Sequence, residues 1–573
     1  MKRFEPYVFL RELATRWDVL AFIVVIGLIV FLGETSRGLF APLSQLKATP
    51  LSLDPIHLPE YAARTTFRML AGLVLSLVFT LTYATWAAKS ERAGKLLVPL
   101  LDILQSVPIL GFISVTAVFF LSLAPGRVLG AEFVAIFAIF TSQAWNMAFS
   151  FYQSLRTIPT ELTEAAESFR LSPWMRFWQL EVPFGMPALI WNMMMSMSGG
   201  WFFVVASEAV VVGHTTFALP GVGSYIALAI AQKNLVAIAW AIVTMLIVIL
   251  LYDQLLFRPL VAWADRFRVE QEPGARVPSS WALTMMRRSR IISAATLAFH
   301  SAVLWTSRAV KRKDEPLVEP EARPKRRSLD LLWVSLVVAA VVLGLWHIVA
   351  VLLVNTSLRE ALQVSGLALL TMLRVFVLIT LASVVWVPIG VWVGMRPRAA
   401  QLVQPVAQFM AAFPANLLFP IAVYGIVTWK LNADIFLSPL MILGTQWYIL
   451  FNVIAGASAI PAEMRYVAAN FKVTGWLWWR KVALPAVLPF YVTGAITASG
   501  GSWNAAIVAE LATWGDTQVQ ARGLGAYIAE ATTAGDFHRI VLGIGTMSLF
   551  VVIINRLFWR PLYYYAERKY RLT

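Results

Sequence analysis

The sequence predicts an all-α polytopic membrane protein with about twelve transmembrane helices, arranged as two parallel six-helix repeats. Three observations predict this. Apolar runs of spanning length recur, charges are scarce and gather between the runs, and the second half repeats the first in register. Of the 573 residues, 59% are hydrophobic and 14% charged. A soluble domain averages roughly 45–50% apolar and about 25% charged, and a helix crosses the hydrocarbon core with about 20 apolar residues.

In chain order the predicted spans lie at 18–34, 65–88, 98–123, 131–152, 185–212 and 236–257. The second set lies at 331–354, 363–394, 403–428, 434–455, 487–511 and 538–558. Several exceed one crossing, which predicts tilt or breaks. Pro108 and Pro414 predict a kink in the third span of each half, with a hinge as the sharper alternative. The first run ends in Gly-Glu-Thr without a small-residue cleavage pattern, so it reads as a retained span rather than a signal peptide.

Charge orients the chain. Residues 258–330 hold 15 Lys/Arg against eight Asp/Glu, including Lys311-Arg312-Lys313 and Lys325-Arg326-Arg327. Cytoplasmic loops collect lysine and arginine, which places this linker on the cytoplasmic side. Both termini follow, with Lys2, Arg3 and Arg11 at one end and Arg568, Lys569 and Arg571 at the other. The same rule accounts for the net charge of +16 without nucleic acid. Within the linker, the broken apolar stretch 291–306 reads as an interfacial helix on lipid. There is no cysteine, which excludes disulfides and thiolate metal sites, and the five histidines show no metal spacing.

The repeat is the strongest signal. At an offset of 302, Ile158-Pro159 falls on Ile460-Pro461, Glu161 on Glu463, Phe169 on Phe471, and Trp174 on Trp476. The register continues through Trp201 and Trp503, Glu208 and Glu510, and Gly-x-Gly-x-Tyr-Ile at 221–226 and 523–528. It ends with Arg258-Pro259-Leu260 on Arg560-Pro561-Leu562. Upstream the offset is 306, pairing Arg68 with Arg374 and Pro108 with Pro414. A period near 300 is too long for a solenoid, so it means two copies of a six-span domain about an axis along the membrane normal.

The loop between the fourth and fifth spans is polar and ordered in pattern. Thr160 is placed to cap a short helix with Glu161 and Glu164 in its first turn. Ser172-Pro173 starts a second helix, and Pro183 is expected to end it before the fifth span. Glu161, Glu164, Ala165 and Ser168 share one face at helical spacing.

This loop resembles the EAA loop of permeases of binding-protein-dependent ABC importers, which carries Glu-Ala-Ala, a glycine four residues after the second alanine, and Ile-x-Leu-Pro. Here it supplies Glu164-Ala165-Ala166 and Leu180-Glu181-Val182-Pro183; the second copy reads Tyr466-Val467-Ala468 and Val482-Ala483-Leu484-Pro485. At the glycine position stand Arg170 and Lys472. The segment Trp201 to Glu208 with the following Gly-x-Gly-x-Tyr-Ile looks most like the nitrate/sulfonate/taurine/bicarbonate branch. The resemblance divides the chain into an N-terminal span and external loop (1–64), a first permease domain (65–268), a basic cytoplasmic linker (269–330) and a second permease domain with its preceding span (331–573).

The resemblance implies a fold like that of type I ABC importers in a bacterial inner membrane. It implies two cytoplasmic ATPase subunits, one per EAA loop, and an extracytoplasmic substrate-binding protein. ATP and Mg would sit on the ATPase, with no cofactor and no catalytic residue on this chain; no Gly-x-x-x-x-Gly-Lys-Ser/Thr occurs in it. The ATPase-coupling residues it implies are Glu161, Glu164, Ala165, Ala166 and Arg170, with Glu463, Tyr466, Ala468 and Lys472 in the second copy. Trp201, Glu208, Trp503 and Glu510 are candidates for the translocation path, because an ionisable residue at membrane depth is a functional candidate. The two glutamates read rather as caps or ion-pair partners of the Gly-rich loops at the outer interface, since an anion path would not carry two bare carboxylates. Those loops face outward and suit tight turns or binding-protein docking. A major facilitator type secondary transporter stays open as the second reading, since it too pairs six-span halves across a cytoplasmic linker. Ser90-Glu91-Arg92-Ala93-Gly94-Lys95 faintly echoes its loop motif, whereas Arg396-Pro397-Arg398 does not.

Overall fold

The computed structural model describes residues 51–212, 215–267, 280–288 and 357–570, with isolated positions besides. The predicted first and seventh spans and the 291–306 helix lie outside these residues.

The first half runs α1 (Leu58–Lys89), α2 (Glu91–Ser106), α3 (Ile109–Leu123), α4 (Val128–Arg156), α5 (Thr160–Ser168) and α6 (Val182–Ser207). A hairpin of β1 (Ala209–Val212) and β2 (Thr215–Ala218) follows, then α7 (Val222–Ala231) and α8 (Leu235–Tyr252). The second half repeats the order: α9 (Leu358–Gly394), α10 (Pro397–Ala412), α11 (Phe419–Thr428), α12 (Gln446–Ser458), α13 (Ala462–Asn470), α14 (Leu484–Ala509), β3 (Leu511–Trp514), β4 (Thr517–Gln520), α15 (Leu524–Ala534) and α16 (Phe537–Ile554). Both hairpins are antiparallel, with Ala209 opposite Ala218 and Leu511 opposite Gln520.

Local chemistry sets the starts. Ser90 accepts a hydrogen bond from Ala93 N to open α2, and Ser357 from Glu360 N to open α9. Asn234 caps α8 through Ala237 N, and Asp536, its partner at offset 302, caps α16 through Arg539 N. Among the described residues six helices are long and apolar enough to cross a membrane, and nine if each bent pair counts as one span. Two of the bent pairs belong to the second half: Arg398–Ala412 with Ala415–Thr428 turns by 75°, and Ala433–Met441 with Gln446–Ser458 by 45°. Pro108 and Pro414 thus break their spans outright instead of kinking them; each occupies the N-cap of the piece that follows. A proline offers no N–H, so a helix end costs least there.

The core of each half is a central helix, α4 or α12, packed on its neighbours. Ala135, Ala138, Ala144 and Ala148 of α4 are buried. Small residues let helix backbones approach closely, where apolar lipid supplies no driving force of its own. Gly72 of α1 lies against Ile139 of α4, and Gly390 of α9 against Val453 of α12.

Two expectations about the fifth span change. Pro183 does not end a helix. Pro173–Arg176 continues through a π-turn (Phe177–Glu181) directly into α6, with Pro183 in the first turn of that segment. The wider turn moves the hydrogen-bond ladder, so the missing proline N–H falls where no α-type bond is due. The span also stops at Ser207, and 209–212 is a strand, because the β-branched Val210-Val211-Val212 pairs with Thr215–Phe217.

Candidate functional site

Three features gather the predicted residues. The first is the pair of loops at α5 and α13. Ser172 caps the second short helix through Met175 N at 3.3 Å. Thr160 does not cap α5. It is the first helical residue behind Pro159, and its side chain makes no capping bond. Glu161, Glu164 and Ala165 are exposed, and Ala166 is buried against the body. In α13, Glu463 and Tyr466 are exposed and Ala468 is the buried residue. Phe169 and Phe471, which close the two helices, are 79% and 78% exposed. Arg170 and Lys472 follow at φ 50° and 52°. That left-handed backbone explains why the loops this chain resembles carry glycine there, since glycine alone adopts it freely.

The second feature was not found from the sequence as a unit. Glu208 is fully buried at the end of α6. Its carboxylate accepts hydrogen bonds from Thr65 Oγ1 (2.6 Å), Arg68 Nη1 (2.7 Å) and Gly223 N (2.6 Å). Arg68 also grips Glu132 of α4 with two bonds, at 2.6 and 2.7 Å, and donates to Pro220 O at 3.0 Å. Thr65 Oγ1 accepts from Val222 N at 3.0 Å. One arginine therefore ties α1, α4, α6 and the entry to α7. The second half repeats it: Glu510 accepts from Thr371 (2.8 Å), Arg374 (3.0 Å) and Gly525 N (2.7 Å), and Arg374 pairs with Asp434 at 2.7 Å. The signal was present, since Glu132 falls on Asp434 at offset 302. The glycines are needed for close approach rather than for turning. A Cβ at Gly221 or Gly523 would run into the Glu208 or Glu510 carboxylate, and one at Gly223 or Gly525 into the carbonyl of Val205 or Ala506. A buried charge is tolerable only when paired and hydrogen-bonded, and both glutamates satisfy that.

The third feature is a cavity of about 50 Å³ between the halves, lined by Met194, Met197, Trp201, Tyr252, Gln408 and Tyr448 among others. Trp201 stacks edge-on against Tyr252 at 5.5 Å, and the Tyr252 hydroxyl has no partner among the described residues. Gln408 Nε2 donates to Met194 Sδ at 3.0 Å, and Tyr448 to Met195 O at 3.3 Å, both across the interface of the halves. Trp503 is equally buried on the other side but does not line this cavity. Asn504 accepts from Ile109 N at 2.7 Å and Asn416 donates to Phe202 O at 3.1 Å, so the two halves hold each other reciprocally. Among the described residues no group of His, Asp and Glu could hold a metal ion.

Repeated helices, matched buried ion clusters and two equivalent exposed loops define a duplicated helical membrane transport protein. The chain belongs to the family of binding-protein-dependent transport system inner membrane components, whose family model matches residues 63–262 and again 386–571. Among similar proteins are a nitrate import permease of Leptolyngbya laminosa, 28% identical over 32% of this chain and 62% of its own length, and a bicarbonate transport permease of Synechococcus elongatus, 27% identical over 31% and 60%. A glycine betaine/carnitine permease of Listeria monocytogenes is 30% identical over 21% and 40%. The matches thus span about three fifths of the length of the first two relatives.

Proposed function

We propose that this chain is the fused permease of an ATP-driven importer of a small anion such as nitrate, bicarbonate or a sulfonate. Its twelve spans form two parallel six-span halves, with both termini and the linker cytoplasmic. One extracytoplasmic binding protein delivers substrate, and two cytoplasmic ATPase subunits, which hold ATP and Mg, dock on α5 and α13. The observation that carries this reading is the repeated loop: each family-matched half exposes one short helix ended by a bare phenylalanine, between equivalent helices. The nitrate and bicarbonate relatives support an anion. The major facilitator reading has no counterpart for these loops and is not favoured.

Purification from native membranes tests it. One copy of this chain should co-purify with two ATPase subunits, and ATP hydrolysis should rise with added binding protein and substrate. A chain that transports alone, driven by an ion gradient, would refute the proposal.

A further inference from the structure

The two docking faces differ in charge and size while standing in the same place. On α5 the outward face is Glu161, Glu164, Ala165 and Ser168; at offset 302 on α13 it is Glu463, Tyr466, Val467 and Asn470. Tyr466 is 71% exposed and Val467 53%. Residues 160–170 hold three carboxylates and one cation, whereas 462–472 hold one carboxylate and two cations. Among the described residues no ion pair involves Glu161 or Glu164, while Glu167 is held by Arg176 at 3.3 Å. The backbone at the two sites is equivalent: both helices have nine residues, both end in an exposed phenylalanine, and both continue into a left-handed cation.

We infer that the two ATPase subunits are different polypeptides. The inference rests on the reading that α5 and α13 are ATPase docking helices. A groove that fits α5 closely needs cations facing Glu161 and Glu164 and allows near approach at Ala165. Placed on α13, it would meet the Tyr466 ring where a carboxylate was due and leave a cation desolvated against it, besides crowding Val467. Docking surfaces discriminate partners by such unpaired charges and clashes. The α13 face fits a roomier apolar groove with an acidic rim toward Arg465 and Lys472. The shared phenylalanine supplies the common anchor, and the flanking residues choose the partner.

The chain has no cysteine, so single cysteines at Ser168 and Asn470 report separately. In native membranes each is alkylated with a maleimide–diazirine reagent and photo-cross-linked, the carbene inserting into a neighbouring bond, and captured chains are identified by mass spectrometry through their Gly-x-x-x-x-Gly-Lys-Ser/Thr peptides. The expected result is one ATPase captured at 168 and a second, of different sequence, at 470. In an E164Y/A165V background, capture at 168 should be lost and capture at 470 kept. The same ATPase captured at both positions overturns the inference while leaving the ATP-driven reading intact. Capture of no ATPase at either position removes both.

Discussion

At Arg170 and Lys472 a long cation sits in left-handed backbone, and such a residue costs about 1–2 kcal/mol relative to glycine. Arg170→Gly is therefore expected to increase amide exchange protection over the last turn of α5 in the isolated chain. If the guanidinium also contacts an ATPase, the same variant weakens association; unchanged protection would show that the loop relaxes freely. The buried clusters give a second expectation. Arg68 and Glu208 are at 2% and 0% side-chain exposure, whereas Arg374 is at 15% and its partner Asp434 at 42%. Breaking a buried pair costs about 3–5 kcal/mol, and water reduces that penalty. Glu208→Gln should accordingly lower the thermal midpoint in detergent, followed by tryptophan fluorescence, more than Glu510→Gln does. Equal losses would contradict this ranking. Glu208 and Glu510 were visible in the sequence as buried acids after apolar runs, with pathway and ion-pair roles both open. The partners were not visible as a cluster, because Arg68, Glu132 and Glu208 are far apart in sequence and only the repeat register links them to Arg374, Asp434 and Glu510.

Among the described residues four π-turns lie inside continuous helices: Phe177–Glu181, Trp479–Ala483, Asp253–Phe257 and Asn555–Trp559. Each is followed two residues later by a proline, at Pro183, Pro485, Pro259 and Pro561. Helical periodicity sees a π-turn poorly, since the apolar pattern shifts by one residue within an unbroken helix. The prolines were legible and their consequence was not; a stop was expected at Pro183 where a widened turn carries the helix on. Because the turn sets the rotation of Pro173–Arg176 relative to α6, it also sets how the α5 loop is presented. Pro183→Ala restores an N–H and allows an ordinary α-turn, which rotates the upstream segment by about 100° per residue of register. The folded chain is expected to survive this change, with binding-protein-stimulated ATP hydrolysis reduced. Wild-type stimulation in the variant would mean that the loop's aim does not depend on the turn. The hairpins were missed for a different reason: Ala209–Val212 is apolar enough to extend a span, and only its β-branched content argued for a strand.

At the scale of the molecule, the duplication was legible throughout, because an offset of 302 runs from the α5 loop to Arg560-Pro561. What it does not convey is how the halves meet. The cavity draws Met194, Trp201 and Tyr252 from the first half but Gln408 and Tyr448 from the second. At the places of Met194, Met195 and Met197 the other copy has Ile496, Thr497 and Ser499, so one wall has a thioether lining that its counterpart lacks. The orientation proposed here rests on charge, since a loop rich in lysine and arginine stays cytoplasmic. The α5 loop is joined to the basic linker through α6 and α8, with the hairpin and α7 between those two helices. With α6 and α8 each crossing once, the proposed topology has the loop and the linker on one side and the hairpin on the other. Single cysteines at Ser168 and Thr517, both exposed, test this in intact cells with a membrane-impermeant maleimide. Labelling is expected at position 517 from outside, and at position 168 only after the membrane is opened. Thr517 lies in the β3–β4 hairpin of the second half and Ser168 in the α5 loop of the first, so the pair also tests whether the halves are parallel. In an antiparallel pair, both positions would face the same side. Labelling of both from outside, or of neither, would overturn the parallel arrangement, and labelling of 168 alone would invert the whole chain.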